Sequence, residues 1–418
     1  MPIHRWRLRA RRQGALLLLV LLPASLRAMP INVAVKMGLA IHPTVRAAEM
    51  DELAAGTDVK IAKGGYYPSV GVSAGPRNSS LDGVTYELTA TQMLWDWGRV
   101  SSQVAGASAT QRQLSDEKLV QRDSAALDIV GVYLDVLDAR QGLDADRNHI
   151  ARLQEVLKMT EIRSKGGYAD RSEPERTTLE LARAQDQLVT DEGKLEDAEN
   201  QFKTLVGTDA AGLQEPGPTS LAGYVARSDL DRLISEAPLY RKATEDTRYA
   251  ESRLSEAKSS LLPQLNVEAS SLQRDIGGRL ERDSVIALRL RMNTFQGFSN
   301  FQQVQGAKQR VDAAHWKESS VRRDLQRQVQ TLLDNAASLA RQEGTLRDQA
   351  DGATRLSTLY QQQFEVGRRD VIDLLNIQLE RFQAERSLID THLQRIRLQY
   401  QAAAQLGLIG PLLEGGLA

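Results

Sequence analysis

The sequence has 418 residues, no cysteine and a formal net charge of −1 at pH 7. The lack of cysteine excludes disulfides, thiol nucleophiles, cysteine metal sites and lipid attachment at an N-terminal cysteine. Four histidines remain beyond residue 28, and none lies within five residues of another: His42, His149, His315 and His392. We therefore expect no enzyme activity, no metal and no cofactor.

The first 28 residues have the three-part order of a secretory signal peptide. Five arginines and no acid occupy the first twelve positions, an apolar run extends from Ala15 to Leu22, and small residues lead to Ala28. The apolar run is well short of the ~20 residues that a membrane-spanning helix needs. We therefore predict export with cleavage after Ala28. Cleavage removes six arginines and no acid and leaves a net charge of −7, which argues against a nucleic-acid partner.

The remaining chain contains an internal duplication. Pro43 and Pro68 recur as Pro238 and Pro263, both at an offset of 195 positions. Further along the chain, Gly207 recurs as Gly407 at an offset of 200. Self-similarity of this kind indicates two copies of one structural unit. We predict a first repeat over 29–207, a Pro- and Gly-rich linker over 208–228, a second repeat over 229–410 and a short tail over 411–418.

Each repeat begins with a helical pattern and then changes to strict alternation of apolar and polar residues. The alternation predicts strands at about 68–76 and 84–96, and again at about 263–272 and 284–294. Segments of about ten alternating residues have the length of tilted transmembrane strands. The alternative is an amphipathic hairpin that covers a soluble core. In the membrane interpretation the polar faces of the strands line a lumen. The charged residues predicted to face this lumen are Glu87, Glu268, Arg289 and Arg291.

Aromatic residues lie close to one end of all the predicted strands. In a chain with only 5% aromatic residues, this clustering favours a belt at a membrane–water interface. The belt candidates are Tyr66, Tyr67, Trp95, Trp97, Phe295 and Phe298.

A very long helical segment follows the second strand of each repeat, from Arg99 to about Lys165 and from Ser299 to about Glu365. At 1.5 Å per residue each helix reaches ~100 Å, and the narrow apolar seams are typical of coiled coils. Both segments end at glycine turns, near Gly166 and Gly367, and a second helix runs back from each turn. The predicted helical hairpins span 98–207 and 296–407.

Four strands in one chain cannot close a barrel, and an open edge in hydrocarbon leaves backbone groups unpaired at several kcal/mol each. Other copies of the chain must therefore complete the sheet. A barrel of eight or more strands needs at least two subunits, and three subunits would also satisfy this requirement. The helical hairpins would continue such a barrel as a tube into the periplasm.

The order and duplication of several motifs resemble the TolC-like outer-membrane channel family. These motifs are YYPSVGVSA, QMLWDWGR, YLDVLDAR, LLPQLNVEA, FEVGRRDVIDLL and AAAQLGLI. The resemblance implies a homotrimer in the Gram-negative outer membrane, in contact with its lipid, with a twelve-strand barrel and an α-helical periplasmic tunnel. It also implies a tunnel that closes at its tip and meets a periplasmic adaptor and an inner-membrane pump, of the ABC type or another.

The resemblance further implies roles at the second hairpin tip. Phe364 stands where the family has a tyrosine, and Arg369 and Asp373 match residues that constrict and gate the pore. Asn376 replaces a second aspartate, which halves the expected constriction charge. Alternatively, Arg369 and Asp373 form an ordinary surface pair at i and i+4, worth a few tenths of a kcal/mol. Both tips are expected to dock the adaptor: Gly166, Gly167, Tyr168, Asp170, Arg171 and Ser172 in the first, and Gly367, Arg368 and Asp370 in the second.

The transport system is a separate question. This chain has no cysteine after the signal peptide, which sets it apart from the lipidated members of drug-efflux systems. Its DWGR sequence resembles that of outer-membrane components of type I secretion. These features favour protein export, of adhesin or RTX-like cargo, over multidrug efflux. A soluble periplasmic coiled-coil scaffold or adaptor is the alternative from another class.

Overall fold

The fold is described by a computed structural model over residues 28–76, 84–217, 221–276, 279–292 and 299–415. Except for Ala28, the predicted signal peptide lies outside these residues, as do the belt candidates Phe295 and Phe298. Within them the chain is mainly α-helical with one small sheet, which confirms the predicted fold class.

The two repeats share one plan, in which helices are followed by two strands and a long helical hairpin. The first contains α1 (Ile31–Ile41), α2 (Pro43–Lys63), a 3₁₀ turn (Gly64–Tyr66), β1 (Ser69–Pro76), β2 (Val84–Trp95), α3 (Arg99–Lys165) and α4 (Ser172–Val206). Between the repeats lies α5 (Leu221–Arg227). The second contains α6 (Leu230–Glu236), α7 (Pro238–Ser259), β3 (Gln264–Ile276), β4 (Arg279–Arg291), α8 (Ser299–Glu365) and α9 (Val371–Leu406), and α10 (Ile409–Leu413) follows it.

The four strands form one antiparallel sheet in the order β1-β2-β3-β4. The hairpins of the two repeats are therefore joined side by side through β2 and β3. The second hairpin is longer than expected, because the segment predicted as a polar turn continues the ladder to the pair Ile276 and Arg279. In this extension the backbone register continues without interruption from the pair Leu272 and Asp283 to the pair Ile276 and Arg279.

The helices form a layer that extends from one end of the sheet. Along its first half α3 contacts α2 and α7, as the ion pairs of Lys118 with Glu52 and of Lys242 with Glu117 show. Along its second half α3 contacts α4 and α9, on either side, and α8 packs beside α7 and α9. The layer order is therefore α2-α3-α7-α8 near the sheet and α4-α3-α9-α8 away from it. No helix of the described segments is long and apolar enough to cross a membrane.

The main hydrophobic core lies midway along this layer. The short helices α1, α5, α6 and α10 pack against it in one continuous cluster that includes the fully buried Phe202 and Ile234. At its centre the Tyr133 hydroxyl donates to the Met29 carbonyl oxygen at 2.8 Å. The backbone N–H of Gln214 donates to the same hydroxyl at 2.9 Å.

The segment predicted as a linker belongs to this core. Helix α5 lies within it, and Leu221 is fully buried. The predicted tail is likewise partly helical, since α10 continues to Leu413 and Leu412 is buried. Proline and glycine mark turns, but they do not show whether the residues between them are buried.

Candidate functional site

One face of the sheet is apolar and exposed. Val72, Ile286 and Leu288 keep 75%, 81% and 69% of their surface accessible, and their positions in the strand register place them on the same side. A contiguous apolar surface of this kind marks contact with a membrane or a protein. Within the described segments, these side chains stay exposed.

The opposite face is polar and carries all four charged lumen candidates, Glu87, Glu268, Arg289 and Arg291, as the register shows. The carboxylate of Glu268 lies 3.0 Å from Arg289 Nε and 2.9 Å from Arg291 Nη2. The Glu268 side chain is only 12% exposed, whereas both arginines are more than half exposed. The pairing leaves one net positive charge at this end of the sheet.

The outer edges of β1 and β4 have no strand partner among the described residues. Both edges therefore present unpaired backbone N–H and C=O groups, which favour pairing with another strand. The sheet therefore combines one exposed apolar face with two edges that favour pairing with further strands.

Four described aromatic residues lie at the end of the sheet from which the helices extend. Tyr66, Tyr67, Trp95 and Trp97 are each 45–70% exposed. The two tryptophan rings meet edge to face at 5.9 Å, and Trp97 Nε1 donates to the Pro263 carbonyl oxygen at 2.9 Å. Exposed amphipathic rings at one level are typical of a membrane interface.

The WDWGR segment forms the junction between β2 and α3. Asp96 accepts hydrogen bonds from the backbone N–H groups of Gly98 at 3.0 Å and Val100 at 2.6 Å, so it caps the start of α3. Trp97 and Gly98 both have positive φ, 56° and 82°, and turn the chain out of the strand. Local folding thus requires an acid and a glycine here.

The two hairpin tips have the same backbone geometry. Gly167 and Gly367 have φ values of +74° and +75°, and in each tip the next residue donates its N–H to the carbonyl oxygen five positions before it, at 2.9 Å. This is a glycine-terminated helix end. The predicted docking residues at both tips are exposed, and Tyr168 keeps 83% of its surface accessible.

At the second tip, groups of its own hairpin hold Arg369. Its Nη1 lies 3.0 Å from Asp373 Oδ2, its Nε donates to Gln363 Oε1 at 3.2 Å, and its guanidinium lies 3.9 Å from the Tyr360 ring centre. The i, i+4 pair is therefore formed within one chain. Asn376 lies one turn further along α9 and is exposed.

Phe364 differs from the expectation for a pore residue. Its side chain is fully buried in a second hydrophobic cluster, with Leu153 and Leu374, between the two hairpins. Arg163 covers it, with the guanidinium 4.4 Å from the ring centre and Nη1 donating to the Phe364 carbonyl oxygen at 2.8 Å. The aromatic ring packs instead of facing an opening because α3 and α9 approach each other here.

The family model for outer membrane efflux proteins matches residues 35–208 and 230–407. The chain belongs to this family. The two matched segments leave out only the N-terminal residues, the short connection between the repeats and the C-terminal end.

The individual relatives are distant in sequence, and the solved structures among them are similar in fold. The protein CyaE of Bordetella pertussis is 24% identical over 299 residues, which make up 66% of this chain and 63% of CyaE, less than two thirds of that relative. VceC, an outer membrane protein of Vibrio cholerae, has a TM-score of 0.78 at 15% identity and covers 90% of this chain and 96% of its own. The MtrE outer membrane channel of Neisseria gonorrhoeae has a TM-score of 0.75 at 14% identity, with 91% and 89% covered.

The family and these structures confirm the resemblance to TolC-like channels. The family assigns this protein to the outer membrane, and the solved outer-membrane channels share its fold of long helical hairpins and a small sheet. Among the described residues, no three histidines, aspartates or glutamates are grouped so that they could hold a metal ion.

Two tip residues were missed at the sequence level, Arg163 and Glu173. Arg163 Nε lies 3.6 Å from Glu173 Oε2, and both side chains are about four-fifths buried. Burial raises the pKa of Glu173, and Arg163 partly offsets this. The duplication contained the signal for Glu173, because it precedes Asp373 by the same 200 positions that separate Gly167 from Gly367.

Proposed function

We propose that this outer membrane efflux protein is the exit channel of a tripartite export system and works as a homotrimer. Three copies supply twelve strands, and β1 of one copy pairs with β4 of the next. A periplasmic adaptor and an inner-membrane pump, of the ABC type or another, complete the pathway. Molecules then pass from the helical tunnel through the barrel to the exterior.

The sheet carries this proposal. An exposed apolar face with Ile286 at 81% accessibility, joined to two unpaired edges, is stable only where lipid covers the face and strands cover the edges. Copies of the same chain provide such strands with matching alternation. A soluble scaffold or adaptor would leave the same face in water, and the family assignment also speaks against it.

The second hairpin tip is the proposed gate. Arg369 and Asp373 restrict the opening through their charges, while Asn376 contributes no charge and weakens selectivity for cations. Phe364 supports the gate from below, by packing against Arg163, and does not line it. The exposed glycine turns at both tips are the proposed adaptor contacts, with Tyr168 as the most accessible side chain of the first.

The proposed cargo is protein, as in type I secretion. Two sequence features support it: the lack of cysteine after the predicted signal peptide and the DWGR junction that resembles secretion components. The second candidate is multidrug efflux, which the description of the matching family favours.

Deletion of the gene distinguishes the two cargo classes. For protein export, the deletion removes one or more proteins from the culture medium or cell surface and leaves drug tolerance unchanged. For multidrug efflux, drug tolerance falls and the secreted proteins stay the same. Complementation with the full chain must restore the lost property, and this control ties the result to the channel.

A further inference from the structure

A cleft of about 590 Å³ lies at the junction of the sheet and the helical layer, between α3, α7 and α8. Three arginines line it, Arg99, Arg253 and Arg310, and among the described residues of its wall Glu256 is the only acid. Glu256 pairs with Arg253 at 2.6 Å and accepts a hydrogen bond from Gln103 at 2.8 Å. Two net positive charges therefore remain in the cleft.

The two other arginines of the cleft are not used by the fold. No acid of the described residues lies within ion-pair distance of Arg99 or Arg310. Arg99 is moreover the first residue of α3, where a positive charge opposes the helix dipole at a cost of roughly 0.3–1 kcal/mol. Gly306 also lines the cleft, and a Cβ added there would meet nothing within 4 Å, so the space is open.

The cleft opens on the face of the layer that the short helices leave uncovered. A separate cavity on α7 is lined by Tyr240, Glu245 and Arg248 together with Ser235 of α6, so it lies on the covered face. The cleft is lined by Arg253, Glu256 and Ala257 of the same helix and by Ser260 at its C-terminal cap. At ~100° per residue, the two sets lie about 140° apart around α7. If the proposed tunnel is correct, the uncovered face is its lining.

Arg289 and Arg291 continue this positive surface on the sheet. They lie at the end of β4 from which the helices extend, on the polar face, and share the single carboxylate of Glu268. The five arginines face two acids, which leaves three net positive charges in each chain. Clustered like charges with low-dielectric walls raise the local concentration of counter-ions.

We propose that Arg99, Arg253, Arg310, Arg289 and Arg291 form a basic collar that binds anionic groups where the tunnel meets the barrel. The ligand class is the multivalent anion, with carboxylate or phosphate groups that accept charge-assisted hydrogen bonds from guanidinium forks. The inference rests on the proposed channel function and adds that the channel prefers anionic cargo at this level.

Calorimetric titration of the detergent-solubilised full chain tests the collar, with inorganic pyrophosphate and citrate as separate probes at low salt. The double variant Arg99→Gln/Arg310→Gln weakens the binding of the preferred probe about tenfold or more. The matched control, Lys203→Gln/Arg232→Gln, removes two exposed charges that have their own acidic partners and changes affinity less than twofold. A preference for pyrophosphate or for citrate identifies phosphate or carboxylate as the recognised group.

The second test of the collar measures reversal potentials of the channel in planar bilayers under a KCl gradient. The collar variant shifts the permeability ratio of chloride to potassium downward, and the control does not. Equal binding by wild type and collar variant, or no binding of either probe by wild type, overturns the collar. A chain that binds the probes through these arginines but never conducts ions contradicts the proposed channel and leaves the collar standing.

Discussion

Arg163 of the first hairpin donates to the carbonyl oxygen of Phe364 in the second hairpin at 2.8 Å and covers the aromatic ring at 4.4 Å. This contact joins the ends of α3 and α8, which are about 200 residues apart in sequence. The two tips of one chain are thereby held together as a unit.

Replacement of Arg163 by alanine is expected to loosen both tips. The change removes a charged hydrogen bond and a cation–π contact, together worth about 2–4 kcal/mol locally. Hydrogen exchange measured by mass spectrometry should accelerate in residues 163–172 and 363–370. Arg171→Ala, at an exposed position of the first tip, is the control and should leave exchange in the second tip unchanged. Equal protection in Arg163→Ala and wild type contradicts the proposed link.

Asp373→Ala is expected to raise single-channel conductance in planar bilayers, because it removes the carboxylate that holds Arg369 across the tip. Asn376→Asp adds a second acid at the tip and should increase the preference of the channel for cations over anions. Unchanged conductance in Asp373→Ala would assign the Arg369–Asp373 contact to an ordinary surface pair.

Gly142→Ala is expected to destabilise the helical layer. A Cβ at this position would collide with the guanidinium of Arg386. Arg386 Nη1 lies 3.1 Å from Asp191 Oδ2 and 3.7 Å from Asp146 Oδ1, and both acids are almost fully buried. Displacing the cation removes the ion pair of the buried Asp146, while Asp191 keeps Lys194 at 2.7 Å. We expect a cost of roughly 3 kcal/mol.

Guanidinium denaturation in detergent measures this cost as a lower midpoint. Gly193→Ala in α4 is the matched control, because nothing lies within 4 Å of its added Cβ. Alanine should stabilise that helix by up to about 1 kcal/mol. A Gly142→Ala variant as stable as wild type would show that Arg386 is free to move aside.

Asp123→Asn is expected to stabilise the protein at pH 8 and to have little effect at pH 4. Burial raises the pKa of Asp123 from 3.8 to about 6. The folded state therefore binds this proton more tightly than the unfolded state, and stability falls as pH rises from about 4 through 6. Above that window the buried carboxylate costs about 1–3 kcal/mol, which asparagine avoids.

Thermal unfolding at the two pH values measures this difference. The control is Asp128→Asn, an exposed aspartate on the same helix. An Asp123→Asn variant whose unfolding temperature changes equally at pH 4 and pH 8 would rule out titration of Asp123 as the cause.

The sequence predicted the secondary structure well where one signal dominates. The bounds of α3 and α8 coincide with the expected segments, because a long uninterrupted helical period is followed by a glycine in the left-handed conformation at Gly167 and Gly367. The sheet faces were also readable, since alternation fixes which side chains share a side.

Tertiary contacts between distant segments could not be predicted. Phe364 matches a family position at the pore, yet it is buried, because Arg163 from the other repeat packs over it. The segment around Leu221 has the composition of a linker but completes the central core. In both cases the partner lies far away in sequence, and local pattern contains no information about it.

Disulfide crosslinking between copies tests the central claim most directly, and the natural chain contains no cysteine that would interfere. Ser73→Cys on the β1 edge is combined in turn with Val285→Cys and Ala287→Cys on the β4 edge, positions on the same face of the sheet. Oxidation in outer membranes should give a covalent ladder that ends at three chains for at least one pair, with each single variant giving at most dimers. Monomers alone from both pairs, or ladders that extend beyond three chains, would contradict a trimeric barrel closed by β1 and β4.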